Sequence, residues 1–150
     1  VSLEKWRFLM SDLGLTHIAL PVTCMDTSIA FYAKYAGMQV IHRRIDAASQ
    51  SDVVWLGDLT RPFVIVLIER PRVDTPLLPI AHLGVGLSTR EMVDNLCQVA
   101  KAEGMLLEGP HDGDPTVGYW AFLKDPDGHT LELSYGQEIG FTVQQAVAAE

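Results

Sequence analysis

Cysteine is nearly absent from this chain, with only Cys24 and Cys97 among 150 residues. They form no C-x-x-C pair, and two thiols cannot staple a small fold, so a disulfide scaffold is excluded and a reducing cytoplasm is the expected setting. Long apolar runs are also missing. Phe63–Ile68 is a short apolar run, far below the roughly 18–20 residues that a membrane span needs. Val1–Leu13 mixes charges and lacks the apolar core of a secretory signal. Positive charge is the third shortage: 11 Lys and Arg stand against 19 Asp and Glu, a net charge of −8. The densest basic run is His42, Arg43 and Arg44. Phosphate binding needs clustered cations, so nucleic acid is not an expected partner, and neither is a membrane.

What is present suits one folded domain. Nearly half the residues are hydrophobic (48%), enough to bury a core at this length. Residues 1–14 read as an N-terminal extension. Leu15–Val22 has the pattern of a strand. Asp26 or Thr27 is the expected cap of a helix over Ile29–Ala36, and Gly37 is its natural stop. Strand-like runs follow at Met38–Ile45, Val53–Leu59 and Phe63–Arg70. The proline-rich stretch Pro71–Pro79 reads as a linker.

The order then starts again. Ile80–Leu87 reads as a strand, and Ser88 or Thr89 caps a helix over Arg90–Glu103 that Gly104 ends. Leu106–Glu108, Tyr119–Lys124 and Thr130–Tyr135 are further strands, with Asp125–Gly128 as a tight turn beside which His129 is expected at the surface. The predicted class is therefore α+β, two tandem βαβββ modules over 15–71 and 80–136, with a weakly helical tail over 137–150. The modules put a histidine at the same place, His17 and His82, 65 residues apart. That period is an internal duplication of a supersecondary unit.

One histidine in an apolar strand is commonly a core residue; two at equivalent repeat positions point to a shared role. Glu132 lies between Leu131 and Leu133 on an expected central strand. A carboxylate there must find a partner, because burying it alone costs several kcal/mol. A metal ion or a buried arginine would serve. Two imidazoles and a carboxylate make a facial triad with positions left for water or substrate.

The segments Thr16–Leu20, Ser28–Tyr32, Ala36–Met38, Ala81–Val85 and above all Lys124–Leu133 resemble the vicinal oxygen chelate superfamily. That superfamily includes glyoxalase I, extradiol dioxygenases, methylmalonyl-CoA epimerase, fosfomycin-modifying enzymes and bleomycin-resistance proteins. The resemblance covers roughly Leu15–Gly136. It implies a half-open, cup-shaped mixed sheet around one divalent ion (Fe, Mn, Ni or Zn) held by His17, His82 and Glu132. It also implies a homodimer and a small-molecule substrate with neighbouring oxygens, on which the cation acts as a Lewis acid.

Three departures bear on the reaction. Where glyoxalase I and the epimerase place a further carboxylate, and the dioxygenases a histidine, this chain offers Val66 or Leu67. Glu69 is the nearest acid. The dioxygenase tyrosine falls on Phe122, with Tyr119 or His111 as weak substitutes, and the threonine of the fosfomycin enzymes falls on Ala19. The general base is thus unassigned, with Glu69, His111 and Tyr119 as weak candidates. Val66, Trp120, Phe122 and Tyr135 are the expected pocket lining, and Gln137 stands close enough in sequence to reach the rim. The expected activity is that of a metal-dependent lyase, isomerase or dioxygenase. A glyoxalase-like isomerase using Glu69, an extradiol dioxygenase and a metal-free bleomycin-resistance-like binder are the alternatives.

Overall fold

A computed structural model describes residues 17–74, 76–78, 80–114, 117–139, 145 and 148. The chain divides into two compact units, Val1–Asp74 and Thr75–Glu150, a boundary inside the proline-rich linker. Among the described residues, each unit carries its own four-stranded sheet with one helix packed on one face. The order strand, helix, three strands occurs in both.

In the first unit, β1 (His17–Val22), β2 (Gln39–Ile45), β3 (Asp52–Gly57) and β4 (Val64–Glu69) assemble in the order β1-β4-β3-β2. β1 runs parallel to β4, and the other pairs are antiparallel. Alternation decides the faces. Leu20, Val22, Val54, Leu56, Ile65 and Leu67 are buried and meet Phe31, Tyr32 and Tyr35 of helix α1 (Met25–Ala36). Each such side chain removed from water contributes roughly 1.5–3 kcal/mol. The opposite face, with His17, Trp55, Val64 and Val66, lines a hollow.

Helix α1 begins earlier than the sequence suggests. Its N-cap is Cys24 rather than Asp26 or Thr27, and the Cys24 side chain makes no capping bond to a backbone N–H. Glu69, at the end of β4, fills that role by accepting a hydrogen bond from the Met25 backbone N–H at 2.9 Å. Gly37 ends the helix as expected, in the left-handed region at φ 62°. β3 stops at Gly57, short of the expected Leu59. Asp58 there accepts from the Thr60 N–H and hydroxyl at 2.9 and 2.6 Å, and this turn closes the strand.

In the second unit, β5 (Leu83–Gly86), β6 (Leu106–Asp112), β7 (Tyr119–Lys124) and β8 (Thr130–Tyr135) assemble in the order β5-β8-β7-β6. Again the first strand is parallel to the last. Helix α2 (Arg90–Ala102) is capped by Thr89, whose hydroxyl accepts from the Met92 N–H at 3.1 Å. Val93, Cys97 and Ala100 pack on Ala121, Leu123, Leu131 and Leu133.

β7 and β8 have the expected bounds. β5 is shorter than predicted, so His82 stands just before it, and β6 is longer, running through Pro110 with register shifts. His129, expected at the surface, is buried instead. Its Nδ1 accepts from the Leu77 N–H, and its own backbone N–H donates to Asp125 across the Asp125–Gly128 turn. The predicted start of β1 at Leu15 and most of the weakly helical tail lie outside the described residues.

Candidate metal and substrate site

Glu132 sits on β8, an interior strand of its sheet, and is only 8% exposed. A carboxylate buried there needs a partner, and the structure supplies two. Gln137 donates from Nε2 to Glu132 Oε1 at 2.6 Å, and His82 Nε2 stands 3.3 Å from Oε2. Neither partner is an arginine. With bonds of about 2.1 Å, two donor atoms at this spacing subtend roughly 100° at a shared ion, between octahedral and tetrahedral values. Their geometry and chemistry therefore fit two positions on a divalent cation. Within either unit, among the described residues, no three His, Cys, Asp or Glu side chains gather to hold a metal.

The wall beside this pair is aromatic. Phe122 lies opposite Glu132 in the β7–β8 register and Trp120 opposite Ser134. The His82 and Phe122 rings are 5.1 Å apart, Phe122 and Trp120 4.8 Å, and Trp120 and His111 5.1 Å. These rings run in a row along the face that carries Glu132. His111 Nε2 lies 3.3 Å from Glu108 Oε1 at the far end.

Tyr119 and Tyr135 face one another in register one residue out of phase with Glu132, so alternation puts both on the opposite, helix-bearing face. Tyr119 donates its hydroxyl to Asp94 of α2, and this bond raises its pKa above the usual phenol value. It is absorbed in packing.

In the first unit, His17 and Val66 line an open hollow of about 550 Å³ on the face opposite α1, together with Trp55 and the basic rim residues Arg44 and Arg61. The register also decides between Val66 and Leu67. Ala19, two residues after His17, pairs with Val66, while Gly84, two residues after His82, pairs with Glu132. Val66 is thus the repeat equivalent of the carboxylate. Glu69, three residues on, points to the other face and is occupied at the N-terminus of α1. His17 and Val66 of this lining are legible in the sequence as site residues, whereas Ile41, Trp55 and Leu59 are not, because they come from separate strands and a turn. The one available signal was Trp55, a large apolar residue out of phase with the buried Val54 and Leu56 of β3.

Residues 14–133 match the family model of the Glyoxalase/Bleomycin resistance protein/Dioxygenase superfamily. The chain belongs to that superfamily. An uncharacterized protein of Pseudomonas aeruginosa is 42% identical over 130 residues, covering 84% of this chain and 91% of the relative. The lactoylglutathione lyase of Escherichia coli O157:H7 is 28% identical over 132 residues, 85% of this chain and 96% of the enzyme. Among solved structures, the fosfomycin resistance protein FosX from Listeria monocytogenes superposes with a TM-score of 0.65 at 23% identity, over 82% of this chain and 93% of that one. A point mutant of FosX has also been solved in complex with Mn(II) and a dihydroxypropylphosphonic acid. The two-module α+β fold of this chain is that of the superfamily.

Proposed function

We propose that this protein is a divalent-metal-dependent enzyme of the glyoxalase type, with the cation held by His17, His82 and Glu132. The observation that carries the reading is the approach of His82 Nε2 to Glu132 Oε2 at 3.3 Å, while Gln137 occupies the other carboxylate oxygen. The bound cation (Fe, Mn, Ni or Zn) would supply Lewis acidity toward a small substrate with neighbouring oxygens. The chain's own residues do the rest. Gln137 fixes the rotamer of Glu132, and Phe122 and Trp120 wall one side of the site and exclude water. Of the three acid–base candidates, His111 alone remains on the face of Glu132; Glu69 and Tyr119 point elsewhere.

The same reading takes the protein as a cytoplasmic homodimer acting on a small molecule. Metal uptake by equal mixtures of His17→Ala and Glu132→Ala chains tests the pairing, because recovery requires donors from two copies. Activity of the chain loaded with each metal is the main test. The substrates are methylglyoxal with glutathione, catechols under air, and fosfomycin with thiols. Turnover of one, abolished in His82→Ala, is the expected result. Stoichiometric metal uptake that His82→Ala leaves unchanged would remove the triad. Absence of uptake by the intact chain would favour a metal-free binding protein.

A further inference from the structure

The hollow of the first unit has a chemistry of its own. Among the described residues its lining contains no aspartate or glutamate, and between His17 and the two arginines it is wholly apolar. Large side chains stand open there: Trp55 is 39% exposed, Ile41 46% and Leu59 67%. Phe63, Val64 and Val66 complete the floor. Side chains of this size leave the surface only if something covers them, and a volume of about 550 Å³ is within the range that holds a small organic ligand.

Trp55 is braced from one side. His42 is its cross-strand neighbour, with ring centroids 5.0 Å apart and planes tilted by 57°, and the indole lines the hollow. A flat ring is the body that such a surface and Phe63 accept best.

The rim adds a sign. In a chain with a net charge of −8, two guanidinium groups line this one cavity. They are not equally committed. Arg44 pairs with Asp46 at 2.9 Å. Arg61 bonds Thr60 Oγ1 through Nε at 3.3 Å. Asp58 lies near Arg61, but its Oδ1 already accepts both Thr60 donors. The terminal nitrogens of Arg61 therefore remain the stronger fork for a carboxylate.

We infer that the hollow binds a ring-bearing monoanion, its ring on Trp55 and its anionic group on Arg61, with the opposite end directed to His17. A tripeptide thiol such as glutathione fits poorly. Its amides and ammonium group would be desolvated against Ile41, Phe63 and Val66 with nothing to bond. That this ligand is a substrate rests on the enzyme reading above; its binding does not.

Calorimetric titration of the full chain in EDTA tests the binding without any metal. The probes are 3-phenylpropanoate, its neutral counterpart 3-phenylpropan-1-ol, and S-methylglutathione. Saturable binding of 3-phenylpropanoate is expected, with the alcohol and the thioether peptide each at least about tenfold weaker. Arg61→Gln should weaken the phenylpropanoate about tenfold and leave the alcohol unchanged. Trp55→Leu should weaken both by about fivefold. Circular dichroism spectra that match the parent protein establish that the variants fold.

S-methylglutathione binding as tightly as the phenylpropanoate would overturn the assignment, as would an Arg61→Gln variant with unaltered preference for the anion. Binding in EDTA by a chain that takes up no metal would keep this inference and remove the enzyme reading. Metal uptake and turnover without phenylpropanoate binding would do the reverse.

Discussion

The Gln137 amide donates to Glu132 Oε1 at 2.6 Å and leaves Oε2 aimed at His82. A carboxylate with two equivalent oxygens on an interior strand could turn either one toward a cation. The amide removes that freedom in advance of the metal proposed above. Partners of this kind typically contribute about 10- to 100-fold in metal affinity. Gln137→Ala should therefore weaken Mn(II) binding by about tenfold or more while the melting temperature moves little. Calorimetric titration and a thermal melt of the variant against the parent chain measure the two arms. Equal affinities would show that Glu132 is held in place by its strand alone.

Glu69 makes a contrasting case. Its carboxylate reaches back 44 residues to the Met25 N–H, satisfying a donor that the Cys24 cap leaves open and placing negative charge at the positive end of α1. Loss of a side-chain cap costs about 1 kcal/mol, which is about 2–4 °C in melting temperature at this chain length. Glu69→Ala should show that loss in a thermal melt with metal affinity intact. A variant that melts like its parent but loses turnover would restore Glu69 to the chemistry.

How far the sequence reached follows from the range of each determinant. Gly37, Gly104 and Thr89 act within one turn of chain, and the helix ends they predict are where the structure has them. The alternation in Tyr119–Lys124 and Thr130–Tyr135 is equally local, and both strands keep their bounds. The duplicated histidines exposed the module repeat. What escaped was set at a distance. Glu69 fixes the start of α1 from the far end of β4, and Leu77 draws His129 inside across 52 residues. Counting residues could not choose between Val66 and Leu67, because the two modules differ by one residue between first and last strands. Only the strand register resolves it.

The two thiols should behave oppositely. Burial against α2's sheet pushes the Cys97 thiol up to about 11, whereas the Thr27 hydroxyl, 3.1 Å from Cys24 Sγ, lowers the pKa of that exposed thiol. At about pH 8 iodoacetamide should label Cys24 rapidly and spare Cys97 until the chain unfolds, since the thiolate is the nucleophile. Stability carries the same sign. Between about pH 9 and 11 the unfolded chain loses a proton that native Cys97 retains, so stability falls as pH rises through that window. Cys97→Ala should flatten the decline. Mass spectrometry of native protein with both sites labelled at similar rates would contradict the burial of Cys97.

Tyr119 offers the last test, because its phenol is the kind of group that could move a proton. Two contacts hold it on the helix side of the sheet, and an ion pair anchors one of them. Its hydroxyl bonds Asp94, the Arg90 guanidinium lies 3.9 Å above its ring, and Arg90 in turn grips Asp112 with two bonds of 2.6 Å. The arginine also holds Asp112 below the usual carboxylate range. Arg90 and Asp112 are solvent-exposed, so their ion pair contributes little by itself; the Tyr119–Asp94 bond contributes about 1 kcal/mol. Tyr119→Phe should lower the melting temperature by a few degrees and leave metal affinity and turnover unchanged. If turnover instead fell tenfold or more at an unchanged melting temperature, the phenol would have to reach the Glu132 face during the reaction, and the strand register argues that it does not.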